Sequence, residues 1–203
     1  MGLNYGLFAL LGWSWVNFSP LTESLGDYGY DVDVKRTVYV GGYGYVLREP
    51  LFTFLMASRL LEARGSGNGY EVLLGHDVAR AGVGYGIWRS RLSERNLHLY
   101  PFVGFGYGRL AVRFRYVGDD DYDGFLSSPG RDGVMDRSSY VLTAGLGALF
   151  DFGFTVGFVV GYDYPVHEGR WYHGGDVLDG GPDVSPYGPY AALMIGYATD
   201  WEE

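Results

Sequence analysis

The sequence predicts an all-β protein: an eight-stranded antiparallel transmembrane β-barrel with long extracellular loops and strand extensions. Three observations carry this prediction. Apolar and small residues alternate with a period of two along most of the 203-residue chain, which is typical of strands. The connections between these segments are short and long in turn. One face of the segments is apolar and ends in aromatic residues, as strands facing lipid require.

The composition excludes several classes of protein. The chain has 34 Gly, 5 Trp, 19 Tyr and 12 Phe, and 47% of its residues are hydrophobic, so glycine here does not indicate disorder. There is no Cys, which excludes disulfide frameworks, cysteine zinc sites and thiol nucleophiles. A net charge of −9 with a single lysine, Lys35, argues against any nucleic-acid partner.

The first 22 residues carry no formal charge and are long enough for a membrane helix. Their alternation, with Leu7, Leu11 and Trp13 on one face and Gly6 and Gly12 on the other, instead predicts a strand. No window has the pattern of a secretory signal, so we expect a mature chain without its signal peptide.

A single barrel domain is predicted over 1–203. Its strands are placed at about 3–18, 33–47, 51–63, 70–90, 97–116, 138–150, 154–164 and 187–200. The tight connections are 48–50, 91–96 and 151–153, and the long loops are 19–32, 117–137 and 165–186. An even number of antiparallel strands with alternating loop lengths puts both termini at the short-turn end. No helix is predicted.

Each strand is expected to turn large apolar residues toward lipid and small residues inward. In 138–150, for example, Leu142 and Leu146 face outward, opposite Gly145 and Gly147. An eight-stranded barrel is only wide enough for side chains to fill its interior. The inward glycines therefore make room for large inward groups such as Arg80, and we predict a packed lumen without an open pore.

Strand 97–116 is about twice as long as the 9–11 residues that cross the apolar core of a bilayer. Its outward residues are apolar as far as Tyr107 and then become Arg109, Arg113 and Arg115, which are too costly for hydrocarbon. We therefore expect the barrel to extend beyond the membrane, with a bulge near Gly108 that lets the apolar residues which follow it pack in the extension.

These features resemble the small eight-stranded OmpA/OmpX-type outer-membrane barrels. The resemblance covers the whole chain through strand count, loop alternation and aromatic ends. The arginine bias and the Leu- and Gly-rich style are similar to the OmpA-like barrels of Thermus, which implies a thermostable protein. The chain departs from the family pattern at its end, where Trp201 is followed by two glutamates. We do not expect a peptidoglycan-binding domain of the kind that accompanies some members of this family.

One motif suggests a metal site. Asp119, Asp121 and Asp123, followed by Gly124, have the spacing of the carboxylates in calcium loops. The twelfth position lacks the expected Glu, and Asp132 or Asp136 is needed to complete the shell. We predict a divalent cation such as calcium here, with a solvated acidic loop as the alternative.

Other constellations are weaker. The last long loop contains several acids and histidines, which are interpreted as a polar loop rather than a transition-metal site: His167, Glu168, His173, Asp176, Asp179 and Asp183. Outer-membrane lipid A deacylases need a Ser and a His together on an outward face, and no His-x-Ser pair occurs. Nucleophilic catalysis needs a nucleophile, a general base and an orienting group at one site, and the alternation of the strands brings no such trio together.

The sequence therefore predicts a non-enzymatic, monomeric barrel in the cell outer membrane, with a structural or surface role. Its expected partners are the outer-membrane lipid or lipopolysaccharide-type bilayer and an unidentified extracellular molecule that contacts the loops. Two alternatives stay open: a narrow channel for small solutes, and an outer-membrane lipid-modifying enzyme.

Overall fold

A computed structural model describes residues 4–34, 37–48, 50–61, 63–92, 95–117, 132–151 and 154–199. These residues form twelve strands and one helix. In chain order they are β1 (Asn4–Ser14), α1 (Ser19–Asp27), β2 (Asp31–Val32), β3 (Val38–Arg48), β4 (Leu51–Leu60), β5 (Ala63–Gly67), β6 (Tyr70–Tyr85), β7 (Trp88–Leu92), β8 (Arg95–Tyr116), β9 (Gly133–Asp151), β10 (Thr155–His173), β11 (Asp176–Leu178) and β12 (Pro189–Ala198).

Eight of these strands close into a ring in which every neighbour is antiparallel. The order is β1-β3-β4-β6-β8-β9-β10-β12. The ring closes where β12 pairs with β1, from Gly6 opposite Ala198 to Ser14 opposite Tyr190. The short strands β5, β7 and β11 pair with strands of this ring at its ends, and β2 pairs with β5. The predicted eight-stranded antiparallel barrel is confirmed.

Side chains alternate between the two faces as predicted. On β9, for example, Leu142 and Leu146 are exposed on the outside, whereas Val141 and Leu149 are buried inside. Exposed and buried residues alternate in the same way along β1, where Leu7 is 72% exposed and Phe8 is 5% exposed. Large apolar residues therefore occupy both faces. The expectation that small residues face inward holds for the glycines but is wrong for rings such as Phe8, Tyr43 and Phe54, which fill the interior. The outer face is apolar without being covered by protein.

The extension beyond the apolar part of the barrel is confirmed, but its details differ from the prediction. Strands β9 and β10 reach further into the expected loops, starting at Gly133 and ending at His173. The bulge expected near Gly108 is wrong, because β8 pairs in continuous register with both neighbours there. The residues after Gly108 keep the inward register without it. The irregularities lie on β10, on either side of His167.

The segment expected to be a long loop at 19–32 contains α1, so the absence of a helix is a wrong prediction. Pro20 lies in the first turn, where its fixed φ and missing N–H are tolerated. Leu21 and Leu25 are one helical turn apart and are both buried. The helix forms because these two leucines share a face, and they pack on the barrel interior at the end opposite the short turns. No helix among the described residues is long and apolar enough to span a membrane.

Two large apolar cores and a third, small cluster of Val78, Val141 and Tyr187 fill the described part of the lumen. The lower core lies toward the short turns and consists mainly of aromatic residues: Phe8, Leu10, Tyr43, Tyr45, Leu47, Phe52, Phe54, Met56, Tyr100, Phe102, Leu149, Val159, Tyr190, Ala192 and Met194. The upper core lies within the extension and joins the strands to α1: Phe18, Leu21, Leu25, Val32, Tyr39, Leu60, Val72, Leu74, Leu110, Val112, Trp171 and Val184.

Inward glycines make room for the rings of the lower core. A Cβ added at Gly84 would overlap the ring of Phe52. We expect Gly84→Ala to lower the free energy of unfolding by about 1–3 kcal/mol, the usual cost of overpacking a filled core. The measurement is urea unfolding of the refolded protein in detergent micelles or lipid vesicles.

The matched control for this prediction is Gly75→Ala, because Gly75 faces outward on the same strand and nothing lies within 4 Å of its added Cβ. We expect the control to change the free energy of unfolding by less than about 0.5 kcal/mol. Equal effects at both positions would contradict the assigned role of the inward glycines.

Candidate functional site

The outer wall carries a continuous apolar surface that we call the apolar belt. On β8 it runs over the outward residues from Leu97 to Tyr107, an 11-residue stretch that matches the length needed to cross the apolar core of a bilayer. Equivalent outward residues on the other strands include Leu7, Leu11, Val46, Leu55, Val83, Leu142, Leu146, Phe158, Val160, Leu193 and Ile195. An exposed apolar surface of this extent requires lipid or another partner.

Aromatic residues border the belt at both ends. Exposed rings at the short-turn end are Tyr5, Tyr85, Phe150, Phe154 and Tyr197, and those at the other end are Trp13, Trp15, Tyr107, Tyr140, Tyr162 and Tyr164. Amphipathic rings are favoured at the two interfaces of a membrane. Directly above Tyr107, the charged row begins: Arg59, Asp77 and Arg109 stand side by side on β4, β6 and β8.

A buried polar layer separates the two cores inside the barrel. Arg80 donates from Nε to both carboxylate oxygens of Asp163, at 2.9 and 3.0 Å, and a second nitrogen of its guanidinium also bonds Asp163. A third nitrogen donates to Ser58 Oγ at 3.1 Å, and the guanidinium lies 4.9 Å from the ring centre of Tyr190. Both charges are almost fully buried, so they form a neutral plug rather than an ion pathway.

His76 lies next to this layer, inside the extension. It precedes Asp77 on β6 and faces inward, whereas Asp77 faces outward. Its Nδ1 is 2.7 Å from the hydroxyl of Tyr39, and its ring centre is 5.2 Å from that of Tyr187. Its Nε2 has no hydrogen-bond partner among the described residues. A cavity of about 30 Å³ lined by His76, Arg80 and Asp163 has room for a bound water molecule.

Polar residues of the last long loop form hydrogen bonds that hold neighbouring segments together. Arg137 donates to Glu168 at 3.1 Å and to the backbone oxygens of Gly169 and Val184 at 2.7 and 3.0 Å. His173 contacts the backbone oxygen of Val134. These bonds tie β9, β10 and the segment before β12 together. Within the described ranges, no group of three or more His, Asp or Glu side chains is placed to hold a metal ion.

The predicted cation ligands Asp119, Asp121 and Asp123 lie outside the described residues. Of the two aspartates considered for completing that shell, Asp136 accepts a hydrogen bond from Arg109 at 3.1 Å. Asp132 accepts one from the backbone N–H of Tyr116. The calcium site therefore stays a prediction.

An open recess of about 520 Å³ lies at the end of the barrel opposite the short turns, between α1 and the tips of the long strands. Its walls are mostly apolar and aromatic and include Leu25, Tyr30, Phe114 and Trp171. The ring centres of Tyr30 and Phe114 are 5.2 Å apart. A recess of this volume and lining is suited to accept an apolar group.

No protein-family model matches the chain, and no curated protein matches it. Among solved structures, it is similar to Ail, the attachment invasion locus protein of Yersinia pestis, with a TM-score of 0.46 and 12% identity over 98% of this chain and 99% of the Ail chain. The likeness to the OmpA-like barrels of Thermus has no support in these comparisons. The fold assignment rests on the strand pairing of this chain.

The sequence indicated some site residues but not their pairings. The alternation placed Arg80 on the inner face, and Asp163 falls in the inward register of its own strand. Their contact joins residues 83 positions apart, and it depends on the registers of three strand pairs, β6–β8, β8–β9 and β9–β10. The role of Arg137 was missed because 117–137 was interpreted as a loop, whereas Arg137 lies in β9.

Removing one partner of the buried ion pair is expected to lower the free energy of unfolding strongly. Asp163→Asn leaves the Arg80 charge without its counterion in the interior, which typically costs about 3–5 kcal/mol. The free energy of unfolding in micelles measures this. The control is Asp77→Asn, because the Arg59–Asp77 pair is largely exposed and should contribute at most about 1 kcal/mol. A loss at Asp163 no larger than at Asp77 would contradict the assignment.

His76 should make stability depend on pH. Burial, together with the positive charge of Arg80, lowers the pKa of His76 to about 3, although Asp77 opposes this shift. The unfolded chain takes up this proton near pH 6.5, so the contribution of neutral His76 is complete above that pH and is lost as the pH falls toward 3. We expect His76→Gln to flatten the pH dependence between 6.5 and 4.5 by up to about 1.4 kcal/mol per pH unit.

Asp77→Asn is again the control. The hydrogen bond from Arg59 lowers the pKa of Asp77, so its contribution is lost only below the ordinary carboxylate range near pH 4. The unfolding free energies of wild type and both variants, measured at several pH values, separate the two groups. A slope unchanged by His76→Gln between pH 6.5 and 4.5 would show that His76 takes up its proton in the folded state.

Proposed function

We propose that this chain is a non-enzymatic outer-membrane protein that spans the bilayer as a closed barrel and presents its extension to the outside of the cell. One observation carries the proposal. The outer wall is an apolar belt bordered by aromatic rings, while the charged pair Arg80–Asp163 and the glycines face inward. A water-soluble barrel turns charged and polar residues outward instead, and closed barrels with an apolar outer face span outer membranes.

The extracellular part is assigned to contact with partners. It contains α1, the hairpin of β5 and β6 and the apolar recess, and it lies beyond the part of the wall that suits lipid. Exposed loops on a rigid scaffold are where binding functions concentrate. A divalent cation at Asp119, Asp121 and Asp123 belongs to this proposal, as a means of fixing the loop between β8 and β9.

The packed lumen does not support the channel alternative. Two apolar cores and the Arg80–Asp163 layer occupy the described interior. The enzyme alternative is not supported at His76. This side chain is 1% exposed and faces the interior, so it cannot act as a base on a lipid substrate outside the barrel. We expect the masses of lipid A to be unchanged when the protein is produced in a Gram-negative host.

Quenching by lipid tests the proposed orientation. We expect bromine on the acyl chains of vesicles to quench Trp13 strongly, because it is 42% exposed beside the apolar belt, and to spare Trp171, which is 5% exposed in the upper core. The measurement uses two variants that each keep one tryptophan, with the others replaced by Phe. Equal quenching of the two residues, or none, would contradict insertion through the belt.

The packed lumen also predicts that the protein does not conduct ions across a bilayer. Refolded protein in planar lipid bilayers should give no discrete conductance steps, because the Arg80–Asp163 pair and the lower core fill the described interior and the cavity beside Arg80 measures about 30 Å³. Reproducible steps that grow when Arg80 and Asp163 are both replaced by Ser would favour the narrow channel instead.

A further inference from the structure

A shallow trough crosses the apolar belt on its outer wall. Four outward residues that pair across neighbouring strands are small: Ala9 on β1 lies opposite Gly42 on β3, Gly42 opposite Ala57 on β4, and Ala57 opposite Ala79 on β6. The row ends at Tyr107 on β8, opposite Ala79. With strands about 4.8 Å apart, four spacings make the trough roughly 19 Å long.

The trough is a hollow and not only a row of small side chains. Two adjoining hollows of about 500 and 640 Å³ lie along it and share Gly42 and Ala57. The next outward row toward the short turns contains Leu55 and Phe105, which are 61% and 51% exposed and project from the wall. Because Gly44 and Ala81 lie in the same row, the trough is bounded on that side at Leu55 and Phe105 and not along its whole length.

The charged row bounds the trough on its other side. Arg59 lies next to Ala57 in outward order, and Arg109 lies next to Tyr107. The Arg59 side chain is 67% exposed and bonds Asp77 at 2.6 Å, and the Arg109 side chain is 51% exposed and bonds Asp136 at 3.1 Å. Both guanidiniums thus stand where the wall leaves the apolar belt and meets the headgroup region.

This wall is basic within an acidic chain. Above the belt, the outward charged side chains of β4, β5, β6, β8 and β9 are Arg59, Arg64, Arg109, Arg113 and Arg115 against Glu71, Asp77 and Asp136. The excess of arginine contrasts with the net charge of −9 for the chain. A basic surface just outside an apolar belt attracts anionic headgroups.

The trough also runs in a direction that suits a lipid. The row that contains Arg59 and Asp77 continues through Val40 on β3 and Leu11 on β1, so one row is charged at β4 to β8 and apolar at β1. Strands of such barrels are tilted by about 35–45°, and a row across them is therefore oblique to the membrane. The trough descends from the interface at Tyr107 into the belt at Ala9.

We propose that this trough binds one acyl chain of an anionic, phosphate-bearing lipid, whose phosphate is held by Arg59 and Arg109. Arginine is suited to phosphate because its planar donors match the phosphate oxygens. The inference rests on the proposed function, since it places the wall in a bilayer. A second copy of the chain is the less favourable occupant, because it would bring two walls with the same excess of positive charge together.

The test compares lipids that share their acyl chains. Refolded wild-type protein in micelles is titrated with dimyristoyl phosphatidic acid, with dimyristoyl phosphatidylcholine and with inorganic phosphate, and bound lipid is counted by native mass spectrometry. We expect phosphatidic acid to bind about tenfold more tightly than phosphatidylcholine, the difference expected for about one charge-assisted contact. Millimolar inorganic phosphate should not displace it, because the acyl chain contributes to binding.

Two variants address the two halves of the site. Ala57→Leu combined with Ala79→Leu fills the trough, and Arg109→Gln removes one phosphate contact above the belt. Each should weaken phosphatidic acid binding about tenfold, which corresponds to the loss of about 1.4 kcal/mol. The controls are Ala144→Leu, an outward residue on β9 away from the trough, and Arg170→Gln, an exposed arginine on β10 outside the basic wall. Both should bind as wild type does.

The outcomes separate the explanations. Equal binding of the two lipids, displacement by inorganic phosphate alone, or trough variants that bind like Ala144→Leu would overturn the proposal. A dimer in wild type that is lost on filling the trough would assign the wall to a second copy and also overturn it. Failure of wild type to insert, seen by the tryptophan quenching above, would refute the proposed function, whereas insertion with lipid binding unaffected by the variants refutes only this inference.

Discussion

The pairing of β1 with β12 is the constraint on which the rest of the structure depends. Through this pairing the backbone groups of the last strand bond those of the first over nine paired positions, from Gly6 to Ser14. The eight-stranded ring therefore has no free edge. In hydrocarbon an unpaired backbone N–H or C=O has no water to bond, so an open sheet would be strongly disfavoured. Closure thus permits a wall that is apolar on its outside, and it also fixes how little space is left inside.

The limited space inside the barrel explains why the chain is rich in both glycine and aromatic residues. Rings such as Phe52 and Tyr100, whose centres are 4.4 Å apart, fill the lower core only because glycines such as Gly84 and Gly147 face them. The two charges placed inside neutralise each other, and a second apolar core seals the extension above them. Closure, inward glycine and the buried ion pair together make the described barrel a filled support for its extension.

The alternation of residues predicted the fold class and the faces well, because in a strand each side-chain direction follows from sequence position alone. Features that depend on contacts distant in sequence were not predicted. Leu21 and Leu25 form a helical face only against the upper core, so α1 was taken for a loop. The pairing of Arg80 with Asp163 depends on register. Arg137 was assigned to a loop because strand β9 continues among polar residues, where the alternation is weak.

Disulfide trapping tests barrel closure most directly, because the chain has no cysteine of its own. Leu11 and Leu193 are paired across the closing strands, so Cys residues at both positions fall near the Cα separation that disulfides need. The account predicts rapid oxidation of this pair in the refolded protein, seen as altered mobility on non-reducing gels after boiling. The pair Leu11→Cys with Tyr197→Cys, four residues out of register, should not oxidise. Failure of the first pair, or equal oxidation of both, would contradict a closed barrel.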